Sequence, residues 1–242
     1  MEHPRVQKIR AHFPDAEVIF VDHYKDVFNR SRQNYILQHR HQNLILAAHA
    51  GNLLYPGAPV CQNFGNAHFY YTSCVMNCIY DCEYCYLKGM YPSGNLVVFV
   101  NPEEIFAQIR QQLEQHSLYV CVSYDTDLLA LEGILGYAEL WQKFVQQVNR
   151  EAPHKLRIEI RTKSARQDYF EGLPVCPEVI YAFTLSPEPV IRAFEHGTPS
   201  LNARLQCIQK AAEIGHSIRL CFDPMIYIPD WKRVYGELLE QT

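Results

Sequence analysis

From about residue 67 onward, short runs of β-branched and aromatic residues alternate with longer segments of helical periodicity. A strand followed by a helix and then another strand pairs in parallel, because the crossover brings the chain back in its starting direction. The alternation therefore predicts an α/β fold. Strands are predicted over residues 68–73, 118–123, 156–161, 179–185 and 218–222, and helices over 102–115, 131–149, 201–214 and 231–239. Asn101 as N-cap with Pro102 at the first helical position opens the first of these helices, and Gly215 closes the third.

Strands covered on both faces read as continuous apolar runs, so polar residues restricted to one parity carry information. Leu118, Val120 and Val122 oppose Tyr119, Cys121, Ser123 and Asp125, while Leu156, Ile158 and Ile160 oppose Arg157, Glu159, Arg161 and Lys163. Val179, Tyr181 and Phe183 oppose Ala182, Thr184 and Ser186, and Ile218, Leu220 and Phe222 oppose Arg219, Cys221 and Asp223. If the apolar parities meet the helices, the polar ones converge on one interior, as in a partial (β/α)6 barrel with its site at the C-terminal strand ends. Edge strands with a solvated face are the alternative. Residues 67–242 are read as the barrel domain and residues 1–66 as an N-terminal extension packed on it. The chain stops at Thr242 where a sixth strand is expected, so the sequence reads as a barrel lacking its C-terminal part.

With 242 residues at 48% hydrophobic, the chain can bury a large core, which excludes disorder and a small disulfide scaffold. The formal net charge of -4 draws the chain neither to nucleic acid nor to anionic lipid as a whole. Its densest basic stretch, Arg150, Lys155, Arg157, Arg161, Lys163 and Arg166, is mixed with Glu151, Glu159 and Asp168. No apolar run approaches the roughly 20 residues of a membrane span and no signal-peptide core follows the start, so no membrane partner and a cytoplasmic location are expected. Nine cysteines then stand out, because a reducing compartment does not keep them as structural disulfides.

Cys61, Cys121, Cys176, Cys207 and Cys221 are scattered, whereas Cys74, Cys78, Cys82 and Cys85 fall within twelve positions. Cys78, Cys82 and Cys85 form a CxxxCxxC run. Three thiolates so spaced can wrap one side of an iron–sulfur cube and leave one iron open, and Cys74 could instead supply a fourth ligand and close a structural zinc site.

CxxxCxxC with Tyr84 before its last cysteine, after the first strand of an α/β barrel, resembles the radical S-adenosylmethionine superfamily. Cys85-Tyr86-Leu87, the 98–105 segment, Lys163 after an Arg-Ile-Glu-Ile-Arg strand, the 194–199 segment and the 224–231 stretch together resemble the spore photoproduct lyase family, over about residue 68 to the end. The resemblance implies a [4Fe-4S] cluster on Cys78, Cys82 and Cys85, with S-adenosyl-L-methionine on the free iron. It also implies a 5′-deoxyadenosyl radical that abstracts hydrogen from the spore photoproduct, 5-thyminyl-5,6-dihydrothymine, so that two thymines are restored. Implied partners are UV-damaged DNA and an electron donor such as flavodoxin or ferredoxin, for a monomer in the spore core of an endospore-forming bacterium.

By the same resemblance Lys163 and Ser186 fall at cofactor contacts, with Ser123, Asp125 and Thr126 beside them. From the residues alone, Lys163 is equally a solvated strand end and Ser186 a helix cap before Pro187. Tyr84 and Tyr86 match the tyrosines that support hydrogen return. The family's hydrogen-donating cysteine is replaced by Tyr124, which leaves Cys74 and Cys121 as substitutes, with Cys74 preferred because its place in the motif loop keeps it near the cofactor. Two other readings are a radical S-adenosylmethionine enzyme with a substrate other than DNA, and a zinc module closed by Cys74.

Overall fold

The computed structural model describes residues 3–242. The chain opens with α1 (Pro4–Arg10), α2 (Lys25–Phe28), α3 (Tyr35–Arg40), β1 (Leu44–Ala47) and β2 (Tyr55–Pro56). It continues through β3 (Phe69–Tyr71), β4 (Val75–Met76), β5 (Asp81–Cys82), α4 (Leu87–Met90), β6 (Leu96–Phe99), α5 (Glu103–Leu113) and β7 (Leu118–Cys121). Next come α6 (Glu132–Leu135), α7 (Tyr137–Glu151), β8 (Leu156–Thr162), α8 (Gln167–Glu171), β9 (Val179–Thr184) and α9 (Glu188–Phe194). The last elements are β10 (Glu195–His196), α10 (Leu201–Ile214), β11 (Ser217–Cys221) and α11 (Trp231–Glu240).

The architecture is α/β. The main sheet runs β11-β9-β8-β7-β3-β2; the first five pair in parallel and β2 is antiparallel at the edge. Among the described residues the sheet is open, with β2 and β11 as its two edges and no closed ring of strands. A second sheet, β1-β6-β4, and a two-stranded ribbon of β5 with β10 lie outside it. The first 66 residues are thus joined to the remainder of the chain by backbone hydrogen bonds: β1 pairs with β6 and β2 with β3.

The apolar parity of every predicted barrel strand but the first and last packs into one core with Trp141, Val145 and Val148 of α7 and Ile105, Ile109 and Leu113 of α5. Apolar burial at about 25 cal/mol per Å² is the main term holding helices to sheet. Two local expectations are corrected. Asn101 does not cap α5: its side chain exchanges hydrogen bonds with the backbone of His49, at 2.8 Å each, and so ties the helix start to the end of β1. The helix expected over 131–149 is two, because Gly136 takes a left-handed conformation (φ 65°) that ends α6 and starts α7.

Candidate active site

The polar parity does converge. Tyr119 of β7 donates to Glu159 of β8, and Arg219 of β11 reaches both, with 2.6 Å to the Tyr119 hydroxyl. Ala182, the register partner of Arg219 on the intervening β9, is small enough to let the guanidinium pass over it. Arg161 pairs with Glu159 at 3.4 Å and with Asp223 at 2.7 Å, and Phe64 lies 3.4 Å from the Arg219 guanidinium as a cation–π lid. Glu159 is 3% exposed, so the two arginines are what permits a carboxylate there.

The CxxxCxxC loop sits beyond the end of β3 and is pinned from three sides. Asn77 is fully buried in a left-handed turn (φ 68°), and its amide donates to Ser93 and Asn95 at 2.7 Å each. The Cys78 carbonyl is met at 3.0 Å by the His39 ring and by the Gln42 amide, so the N-terminal segment itself holds the loop. On the far side β5 pairs with β10. The Cys78 sulfur accepts the Tyr80 N–H at 3.4 Å. Burial pushes the Cys78 thiol up to about 12, with Asp127 adding to it; Cys82 is pushed to about 11 by burial against the pull of Lys163. Cys82 acts electrostatically on Cys78, and Cys85 on Cys82, so the three sulfurs share one neighbourhood. Any metal there displaces protons from these thiols.

Two buried side-chain oxygens in the loop after β7 have no partner, Asp125 Oδ1 and Thr126 Oγ1. Asp125 accepts from Ser73 and Tyr91 through its other contacts, and burial raises its carboxyl. Ser123 bridges β7 and β8 through the Arg161 backbone, at 2.7 Å to its N–H and 3.2 Å to its carbonyl. Lys163 stands 5.6 Å over the Tyr84 ring, and its charge acts on Cys82. By donor chemistry the thiols suit an iron–sulfur cluster with one open corner and the orphaned oxygens suit a small polar ligand, although among the described residues no three such side chains sit ready around one ion.

Other residues singled out from sequence are engaged differently. Ser186 is not a helix cap: it donates to Glu195 at 2.7 Å. Tyr84 donates to the same carboxylate oxygen at 2.5 Å, whereas Tyr86, half exposed, donates to the Tyr124 carbonyl at 2.6 Å. Cys74 is 1% exposed in the helix-facing core and accepts the Trp141 indole N–H at 3.2 Å. A four-cysteine zinc site closed by Cys74 is therefore not formed, and among the described residues no three His, Cys, Asp or Glu side chains close on a single ion. Cys121 does face the interior, paired in register with Tyr71, and burial, then Glu159, pushes its thiol up to about 12.

Sequence reasoning passed over Asp127, Cys61 and Arg204. Asp127 is buried and takes three donors, Thr162 at 2.7 Å and the backbones of Lys163 at 2.6 Å and Ala130 at 3.0 Å, which fixes the ends of β7 and β8 together. Cys61, half-buried in the β2–β3 loop, acts on Tyr71 and Tyr124, whose rings stack at 4.3 Å. Arg204 was legible: it falls on the buried stripe of α10 with Leu201, Cys207 and Ala211, where an arginine needs a partner.

A family model described as "Spore photoproduct lyase" matches residues 67–242. A curated spore photoproduct lyase of Geobacillus sp. (strain Y412MC61) is 26% identical over 165 residues, 68% of this chain and 48% of the relative. One of Bacillus subtilis (strain 168) is 23% identical over the same shares. The chain thus spans about half the length of the curated relatives it matches. Among solved structures, a spore photoproduct lyase double mutant with bound AdoMet and dinucleoside spore photoproduct superposes at a TM-score of 0.83 with 19% identity. That likeness covers 99% of this chain and 69% of the other, and it establishes the shared fold.

Proposed function

The chain belongs to the spore photoproduct lyase family, and on that premise we propose that it is a radical S-adenosylmethionine lyase that reverses the spore photoproduct to two thymines. The observation that carries this reading is the pinned CxxxCxxC loop, in which Cys82 acts on Cys78 and Cys85 on Cys82, together with the partnerless Asp125 Oδ1 and Thr126 Oγ1 in the loop after β7. In this reading the open sheet is the partial (β/α)6 barrel expected from the sequence.

Cys78, Cys82 and Cys85 hold a [4Fe-4S] cluster which, with S-adenosyl-L-methionine bound, supplies a hydrogen-abstracting radical. Thr126, Asp125 and Ser123 hold the polar end of S-adenosyl-L-methionine, and the Lys163 ammonium offsets negative charge beside Cys82. Ser186 and Tyr84 reach that site through Glu195. Tyr86 stands at the mouth, bound to the Tyr124 backbone. We assign hydrogen return to Cys121 on the interior face, with Cys61 as the second candidate behind the Tyr71–Tyr124 stack, in place of the Cys74 preferred from the sequence; what supports the change is the engagement of the Cys74 sulfur with the Trp141 indole. The substrate is a lesion in UV-damaged DNA, extruded from the duplex to reach the interior. The electron donor is a small redox protein of the flavodoxin or ferredoxin kind, and the enzyme works as a monomer in the cytoplasm of the spore core.

The test is anaerobic reconstitution followed by assay on a spore-photoproduct dinucleotide. Thymine release together with 5′-deoxyadenosine formation supports the reading. Cofactor cleavage without repair points to a relative that acts on another substrate, and a protein that takes up zinc but no iron rejects the reading altogether.

A further inference from the structure

Glu195 and Arg204 form the one ion pair among the described residues in which both side chains are fully buried, with 2.6 Å between Nη2 and Oε2. Desolvating such a pair costs several kcal/mol per ion, so its presence is poorly explained by stability alone. Its connections give a reason. Glu195 is the register partner of Cys82 in the β5·β10 ribbon, the Glu83 N–H donates to the Phe194 carbonyl at 2.8 Å, and the His196 ring meets the Glu83 carboxylate at 2.7 Å. The Glu195 carboxylate also takes the hydroxyls of Tyr84 and Ser186. Arg204 is anchored in turn to the carbonyls of Pro199 at 3.0 Å and Thr184 at 3.1 Å and to the Thr198 hydroxyl at 2.7 Å. The 194–199 segment is therefore a strap from the end of β9 to the middle of the three-cysteine loop.

Resting on the function proposed above, we infer that Glu195 and Arg204 are positioning residues for the iron–sulfur cluster: they hold the Cys82–Cys85 stretch in its ligating register and set the balance of fixed charge beside Cys82. Cluster potentials follow net charge and hydrogen bonding around the sulfurs, so each half of the pair shifts the potential in its own direction. Removing the carboxylate leaves an unbalanced cation and favours the reduced cluster. Removing the guanidinium leaves an unbalanced anion and disfavours it.

The experiment uses the full chain, reconstituted anaerobically with iron and sulfide, as wild type, Glu195→Gln and Arg204→Gln. Failure of the wild type to take up a cluster would defeat the underlying reading and is seen before any variant is compared. With a loaded wild type, the expected result is a midpoint potential raised in Glu195→Gln and lowered in Arg204→Gln, with an altered electron paramagnetic resonance signal of the reduced cluster. Unchanged potentials, or shifts of the same sign in both, overturn the inference. Hydrogen exchange of the iron-free chains decides the case if a variant does not load. Faster exchange confined to residues 79–85 and 194–199 supports the strap, and faster exchange spread evenly over the five parallel strands overturns it.

Discussion

Replacing Cys74 separates a packing residue from a chemical one. Its sulfur is 1% exposed and accepts the Trp141 indole N–H at 3.2 Å, so Cys74→Ala leaves a buried donor without an acceptor and a void about the size of the lost atom. An unsatisfied buried donor costs about 1–3 kcal/mol, and a methyl-sized void adds about 1 kcal/mol. The expected loss is about 3 kcal/mol, which for a chain of this length lowers Tm by about 6–12 °C. Cys74→Ser keeps an oxygen for the indole and loses less. The assay is thermal unfolding of the reduced chain followed by circular dichroism, run beside iron uptake and cofactor cleavage. Both variants should load iron and cleave S-adenosyl-L-methionine as the wild type does at temperatures where they are folded. A Cys74→Ser protein of unchanged Tm that had lost repair would refute the argument and return Cys74 to the chemistry.

Cys78→Ala, Cys82→Ala and Cys85→Ala should each abolish stable cluster uptake, read as iron content and visible absorbance after reconstitution; one variant with full iron would remove that cysteine from the ligand set. Glu159→Gln strands Arg219 and weakens Arg161 in the interior network, and denaturant unfolding should show a loss near the low end of the about 3–5 kcal/mol for a broken buried pair, since Arg219 is partly exposed. His216 is buried against the edges of Phe170 and Tyr181, and burial pushes its imidazole below the ordinary 6.5. The unfolded chain then takes the proton first. Its contribution to stability is intact above that value and lost as pH falls toward the lowered folded pKa, so Tm should begin to drop as pH falls below about 6.5. His49 and His116 shift in the same direction. His216→Phe should flatten the Tm profile, and a profile of unchanged slope would show that another group carries the acid sensitivity.

Hydrophobic periodicity and punctuation made the parallel strands and the helices that cover them legible, because they follow from which parity of each strand must leave water. The CxxxCxxC spacing made the three thiols legible for a similar reason: neighbours in sequence stay neighbours in space. Contacts between residues far apart in sequence were not legible. Strand parity placed Cys121 on the same interior face as Glu159, but nothing in the sequence showed that Cys74 turns toward Trp141, since that thiol is simply a small side chain until the helices and strands take their places. Nor could it show that Glu195, 111 residues from Tyr84 in sequence, lies against its hydroxyl. Local patterning thus marked the candidate thiols and chose the strand faces. Tertiary packing set Cys74 against Trp141, joined β1 to β6 and tied 194–199 to the loop, because burial and charge neutralisation depend on what the rest of the chain brings alongside.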